Sequence, residues 1–193
     1  MKRVWETCLP YPEILRGEAT EETFIANLGA VWEKLDLNKR IVVPDKYLKP
    51  DEMLKRTYYK SEMKRILPSI SERLRGNEKA QSTYHLEVGF GGGKTHTLVL
   101  LYHMAKNGLT ADIGNGITVK FPKTRVVVID GGLPDAAGYR FPDGTHTNTL
   151  WGMLFKQLNT YETLKDKDNW SRMPGVDTYR AVLREKPTLI LID

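Results

Sequence analysis

The residues with the clearest chemical use sit together in Gly89-Phe90-Gly91-Gly92-Gly93-Lys94-Thr95, followed by His96 and Thr97. Glycines let the backbone turn tightly, so that several N–H groups point at one anion, and a helix starting there aims its positive end at the same place. In such a loop Lys94 meets the β- and γ-phosphates of a nucleotide, and Thr95 gives its hydroxyl to magnesium, a hard cation that takes oxygen ligands. The nucleotide-binding set read from this stretch is Gly89, Phe90, Gly91, Gly92, Gly93, Lys94, Thr95, His96 and Thr97. One position departs from the pattern G-x-x-x-x-G-K-T: its first place falls on Val88, and Gly89 comes one residue late.

A magnesium ion on a nucleotide also needs a carboxylate, usually at the end of a neighbouring apolar strand. Two aspartates qualify: Asp130 after Val126-Val127-Val128-Ile129, and Asp193 after Leu189-Ile190-Leu191-Ile192. Asp193 is favoured. In one broad group of P-loop ATPases a further strand intervenes between the loop and the metal-binding strand, and residues 126–130 fill that place. Asp130 otherwise reads as a strand end opening the Gly131-Gly132 turn. The metal set is then Thr95 and Asp193, and the catalytic pair Lys94 and Asp193. In that group a glutamate commonly follows the aspartate and orients the attacking water. Here the chain ends at Asp193, so the reading expects the N-terminal piece of a longer protein, and poor hydrolysis by the piece alone.

These residues need a strand before the loop and a helix after it. Residues 82–88 are rich in β-favouring types and run into the glycines, and residues 94–107 are strongly apolar with Gly108 beyond. The unalternating runs 126–129 and 188–193 suit strands covered on both faces of a parallel sheet. Helical spacing recurs over 21–35, 51–75, 149–161 and 176–184, with Pro68 expected to kink or divide the second. Residues 38–50 read as a connector with at most a brief strand at 41–43, and 109–124 as loop. The expected fold is α/β: a P-loop NTPase three-layer core with a parallel sheet over residues 81–193, behind a helical N-terminal extension over residues 1–80.

Composition sets outer bounds. The 193 residues are 40% hydrophobic and 27% charged, ordinary globular usage that excludes a disordered or collagen-like chain. Cys8 stands alone and cannot form an internal disulfide. No apolar run approaches the roughly 18 residues of a membrane span, and the start lacks a signal-peptide stretch, so a cytoplasmic protein is expected. The net charge of +5 is too small to argue for nucleic acid. Lys55, Arg56, Lys60, Lys64, Arg65, Arg73 and Arg75 interleave with Asp51, Glu52, Glu62 and Glu72, which reads as a solvated helix face. His96 and His103 have no partner at metal-ligand spacing and read as packing residues.

At these residues the chain resembles domain-of-unknown-function family 499, prokaryotic AAA-like P-loop ATPases. The resemblance rests on Gly89-Phe90-Gly91-Gly92-Gly93-Lys94-Thr95-His96-Thr97 with Leu101-Tyr102-His103, and on Val128-Ile129-Asp130-Gly131. It continues in Thr149-Leu150-Trp151-Gly152, Gln157-Leu158 and Leu189-Ile190-Leu191-Ile192-Asp193. It implies that the late first glycine belongs to the family's own form of the loop. It also implies ATP and Mg2+ as cofactors, ATP hydrolysis, a homo-oligomer, and work beside DNA or DNA-modifying partners in phage-defence systems, away from membranes. Two other functions stay open: a nucleotide-sensing module without turnover, and a small nucleoside or nucleotide kinase. The kinase fits less well because a long stretch precedes the loop and no Arg-rich lid is evident. A GTPase is disfavoured by Leu133, where an Asp-x-x-Gly switch starting at Asp130 requires glycine.

Overall fold

The structure is a computed structural model and describes residues 12–19, 24–87, 91–135 and 137–193. Gly89 and Phe90 of the expected nucleotide-binding set lie outside the described residues, as do Cys8, Val88 and residues 21–23 of the first expected helix.

The N-terminal part is helical. After the single turn α1 (Pro12–Leu15), helix α2 (Leu28–Asp36) begins later than its periodicity suggests, because Asn27 holds extended backbone and its side chain accepts the Ala30 N–H at 2.7 Å. Helices α3 (Asp45–Leu48) and α4 (Pro50–Arg56) follow, then α5 (Ser61–Leu74). The helix expected across 51–75 does divide, but at residues 57–60 and not at Pro68. Thr57 donates its hydroxyl to the Met53 carbonyl at 2.6 Å, competing for the acceptor that a continuing helix would use. Pro68 stays inside α5, where the lost N–H is offset by burial of Met63, Ile66, Leu67, Ile70 and Leu74. No strand forms at 41–43, where Val42 is 94% exposed.

Helix α6 (Lys94–Asn107) follows the loop and ends on Gly108, whose left-handed backbone (φ 68°) lets its N–H reach the Met104 carbonyl. Val99, Leu100, Leu101, Tyr102, Met104 and Ala105 are all buried, so this helix is covered nearly all round. The stretch read as loop contains a hairpin, β1 (Thr110–Asp112) with β2 (Thr118–Lys120), which buries Ala111, Ile113, Val119 and Phe121. Then come β3 (Arg125–Ile129), the small pair β4 (Tyr139–Arg140) and β5 (His146–Thr147), helices α7 (Leu150–Gln157), α8 (Tyr161–Asn169) and α9 (Val176–Arg184), and β6 (Thr188–Ile192).

β3 and β6 pair in parallel, with Val128 opposite Leu191. Helices lie on both faces of the pair. Val128 and Leu191 join the core built with α2, α5 and α6, and Val127 and Ile129 pack with Leu154 and Phe155 of α7, Leu158 just beyond it and Val182 of α9. Burial on both faces explains why these strands read as unbroken apolar runs. The larger core also takes in Leu28, Trp32, Leu67 and Leu74, so residues on either side of position 80 share one interior. The chain is a mixed helix-and-strand fold.

The strand expected at 82–88 is not seen: residues 82–87 join no ladder. Their alternation does hold, since Tyr84 and Leu86 pack on the core and His85 and Glu87 face solvent. They do not pair with β3. One edge of β3 is taken by β6, and the other is closed by Gln157, whose Oε1 accepts the Val128 N–H at 2.9 Å while its Nε2 donates to the Val128 carbonyl at 2.7 Å. Among the described residues the parallel sheet therefore has two strands.

Candidate phosphate-binding site

Gly91 and Gly93 hold left-handed backbone, at φ 73° and 87°. A Cβ at either would meet nothing within 4 Å beyond its chain neighbours, so the need for glycine there is conformational and not steric. Gly93 opens α6, and no side chain caps that end. The N–H of Thr97 (2.9 Å) and its hydroxyl (2.8 Å) both go to the Gly93 carbonyl, which ties down the first turn. The remaining N–H groups of the turn and the positive end of the helix dipole point outward, an arrangement suited to an anion. Lys94 and Thr95 occupy the first two positions of α6.

The Thr95 hydroxyl lies 3.2 Å from Oδ1 of Asp193, across 98 positions of sequence. Two oxygens at right angles around magnesium, each about 2.1 Å from it, are about 3 Å apart. The donor types and their separation therefore fit that ion. Asp193 is fixed by its backbone, with its N–H on the Ile129 carbonyl (3.0 Å) and its carbonyl accepting the Gly131 N–H (3.1 Å). Asp130, the other candidate, is engaged elsewhere: its Oδ2 accepts the Gly29 N–H at 2.9 Å and its Oδ1 the Gly132 N–H at 2.8 Å. It thus binds the N-terminal end of α2, where a carboxylate is favoured. A Cβ on Gly29 would stand 2.6 Å from that Oδ2, so glycine is needed for the approach.

His96 shares a 3.0 Å hydrogen bond between Nε2 and the Thr57 hydroxyl and packs edge-on to Tyr47. Because that hydroxyl already donates to Met53, Nε2 is the donor here. Burial, aided by Lys46 and Lys60, holds the His96 imidazole below its ordinary pKa. His103 pairs its Nε2 with the Tyr47 carbonyl at 2.8 Å, and burial lowers its pKa too. Lys60, read from sequence only as part of a basic face, donates to the Gly92 carbonyl at 3.3 Å and so touches the loop. Thr57 and Lys60 carry no motif; their place follows from the break between α4 and α5.

Residues 33–193 match the family described as the DUF499 N-terminal domain. The chain belongs to the DUF499 family. No curated protein and no solved structure matches it. Other segments that carried the DUF499 resemblance have structural tasks. Thr149 caps α7 by accepting the Gly152 N–H at 3.0 Å and donates to the buried Asp168, which also takes the Asn148 N–H and the Tyr161 hydroxyl at 2.9 Å each. Gly152 is required because a Cβ would stand 2.3 Å from Oδ1 of Asp168. Gln157 closes the edge of β3. The DUF499 chain thus keeps its candidate chemistry at the loop and at the end of β6. No described helix is long and apolar enough to cross a membrane.

Proposed function

We propose that this chain binds Mg-ATP and transfers its terminal phosphate to water, on a three-layer α/β core of the P-loop type. The observation that carries the reading is the approach of the Thr95 hydroxyl to the Asp193 carboxylate, 3.2 Å apart at the uncapped start of α6. Helices on both faces of the parallel pair support the layered core. Backbone N–H groups around Gly91 and Gly93 cradle the phosphates, and Lys94 pairs with the β- and γ-phosphate oxygens. Thr95 and Asp193 hold the metal, which when bound neutralises charge on the phosphates. Catalysis of this kind is mostly positioning and charge stabilisation. Ile129 and Gly131 contribute by fixing the backbone of Asp193.

The test is titration of a fluorescent ATP analogue with and without magnesium, with GTP as competitor, followed by a phosphate-release assay. Magnesium-dependent binding that Lys94→Ala abolishes and GTP barely displaces is expected, with phosphate released to water. Phosphate appearing on an added nucleoside would assign a kinase, and tight binding without release a nucleotide sensor. A folded protein that binds no Mg-ATP overturns the proposal.

A further inference from the structure

Beside the loop lies a cavity of about 330 Å3, within the range of small-molecule sites, roughly 300 to 1,000 Å3. Its floor is Gly92, Gly93, Lys94, His96 and Thr97, so it is continuous with the place the phosphates would take. Its walls come from parts of the chain with no phosphate-binding motif. Met63 and Ile66 present one face of α5 at a spacing of three, and with Tyr58, Tyr84 and Leu86 they form the apolar, partly aromatic share of a lining whose rest is polar or charged, Glu62, Arg65 and Glu87 among it. Two details make the walls a built feature. The Tyr84 hydroxyl donates to Ser69 at 2.6 Å, which fixes its ring against α5, and Lys60 ties the linker carrying Tyr58 to the Gly92 carbonyl. Residues 84–87 make no backbone–backbone hydrogen bond with another described residue, so N–H and C=O groups alternate there without a ladder partner.

We propose that this cavity receives the adenine base and ribose of the nucleotide, with Tyr58 and Tyr84 as its aromatic walls. The inference rests on the phosphate-loop reading and adds to it where the nucleoside goes. A base needs flat apolar faces to stack on and a few polar groups at its edge. The tyrosines, Met63, Ile66 and Leu86 supply the faces. The backbone of 84–87 supplies N–H and C=O groups that complement the adjacent acceptor N1 and donor N6 of adenine. The N-terminal helices then act in nucleotide recognition, and residues 82–87 serve as a wall of the site.

Calorimetric titration of Mg-ATP and of Mg-tripolyphosphate, which has the phosphates without the nucleoside, tests this on the wild type and on Tyr58→Ala, Tyr84→Ala and Tyr84→Phe. Tyr58 is 83% exposed, so its truncation leaves the fold intact. The wild type is expected to bind ATP at least tenfold more tightly than tripolyphosphate. Each alanine variant should lose about tenfold in ATP affinity and nothing for tripolyphosphate, while Tyr84→Phe, which keeps the ring and gives up only its bond to Ser69, should lose less than Tyr84→Ala. Equal affinity for the two ligands, or Tyr58→Ala and Tyr84→Ala variants that bind ATP as the wild type does, overturns the base pocket and leaves the phosphate loop standing. A folded wild type that binds neither ligand overturns the phosphate loop and the base pocket together.

Discussion

Two aspartates end two apolar strands, and their surroundings give them different work. Asp130 has both carboxylate oxygens engaged by backbone N–H groups, one of them from the first turn of α2. Asp193 is exposed and turned to Thr95. Asp130→Asn keeps at most one of the two acceptors and should lower stability by about 1.5 to 3 kcal/mol, the usual scale for hydrogen bonds to a charged group. Its ATP affinity should stay within about twofold of wild type, since these bonds lie away from the loop. Asp193→Asn should do the opposite: unchanged urea midpoint, but ATP binding that no longer responds to magnesium. Urea denaturation and magnesium titration of each variant check the pair, and a loss of magnesium dependence in Asp130→Asn would mean the two roles are exchanged. Gly29→Ala should behave as Asp130→Asn does, because its methyl group would displace the same carboxylate.

At the scale of elements, the second edge of β3 is closed at Val128 by one side chain. Gln157 offers its amide as a substitute strand, matching both the N–H and the C=O of Val128. Gln157→Leu preserves the bulk but leaves both groups unpaired, which should cost about 1 to 3 kcal/mol. It should also raise aggregation on partial unfolding, because the edge is then open to another strand. A lowered urea midpoint with increased light scattering is the expected result; unchanged values would mean that water satisfies Val128 equally well. This device also shows what sequence can and cannot disclose. Helix α9 is legible from its apolar period, and α6, β3 and β6 from the unbroken apolar runs that burial on more than one face demands. The hairpin around Gly114-Asn115-Gly116 was legible in principle, since its strands alternate about a turn signature, but their three-residue length hides them in a loop. Residues 82–87 alternate like a strand and still form none, because pairing depends on a neighbour and not on the segment. The loop and Asp193 carry marks of their own in the sequence, a glycine run before Lys-Thr and a carboxylate closing an apolar run. Thr57 and Lys60 carry none, because they reach His96 and Gly92 only through the break between α4 and α5.

Across the whole molecule, the N-terminal helices and the loop-bearing part are joined through α6. Asp36 of α2 accepts the Tyr102 hydroxyl at 2.5 Å and pairs with Lys106, whose ammonium burial pulls down to about 8. His96 and His103 bind Thr57 and Tyr47 from the same helix. His103 is buried and His96 half-buried, and both resist protonation. In His103 the Nδ1 has no partner among the described residues, so a proton placed there would find no acceptor. The pKa of each is lowered in the folded state, while in the unfolded chain it stays near 6.5. Below about pH 6.5 the unfolded chain therefore takes up protons that the folded chain refuses, and stability falls as pH falls. Above that value the contribution is complete and flat. Urea denaturation should show lower stability at pH 5.5 than at pH 7.5, by about 1.4 kcal/mol for each unit through which a histidine's protonation differs between the two states. Substituting glutamine, whose amide reaches about as far as Nε2 and keeps the same donor, should shrink that difference in His96→Gln and again in His96→Gln with His103→Gln. Because the two histidines stand at the joint, helix content and tryptophan fluorescence should be lost together at both pH values. If the N-terminal helices instead melted separately, the two signals would part at pH 5.5 first, and the shared core would have to be redrawn as two.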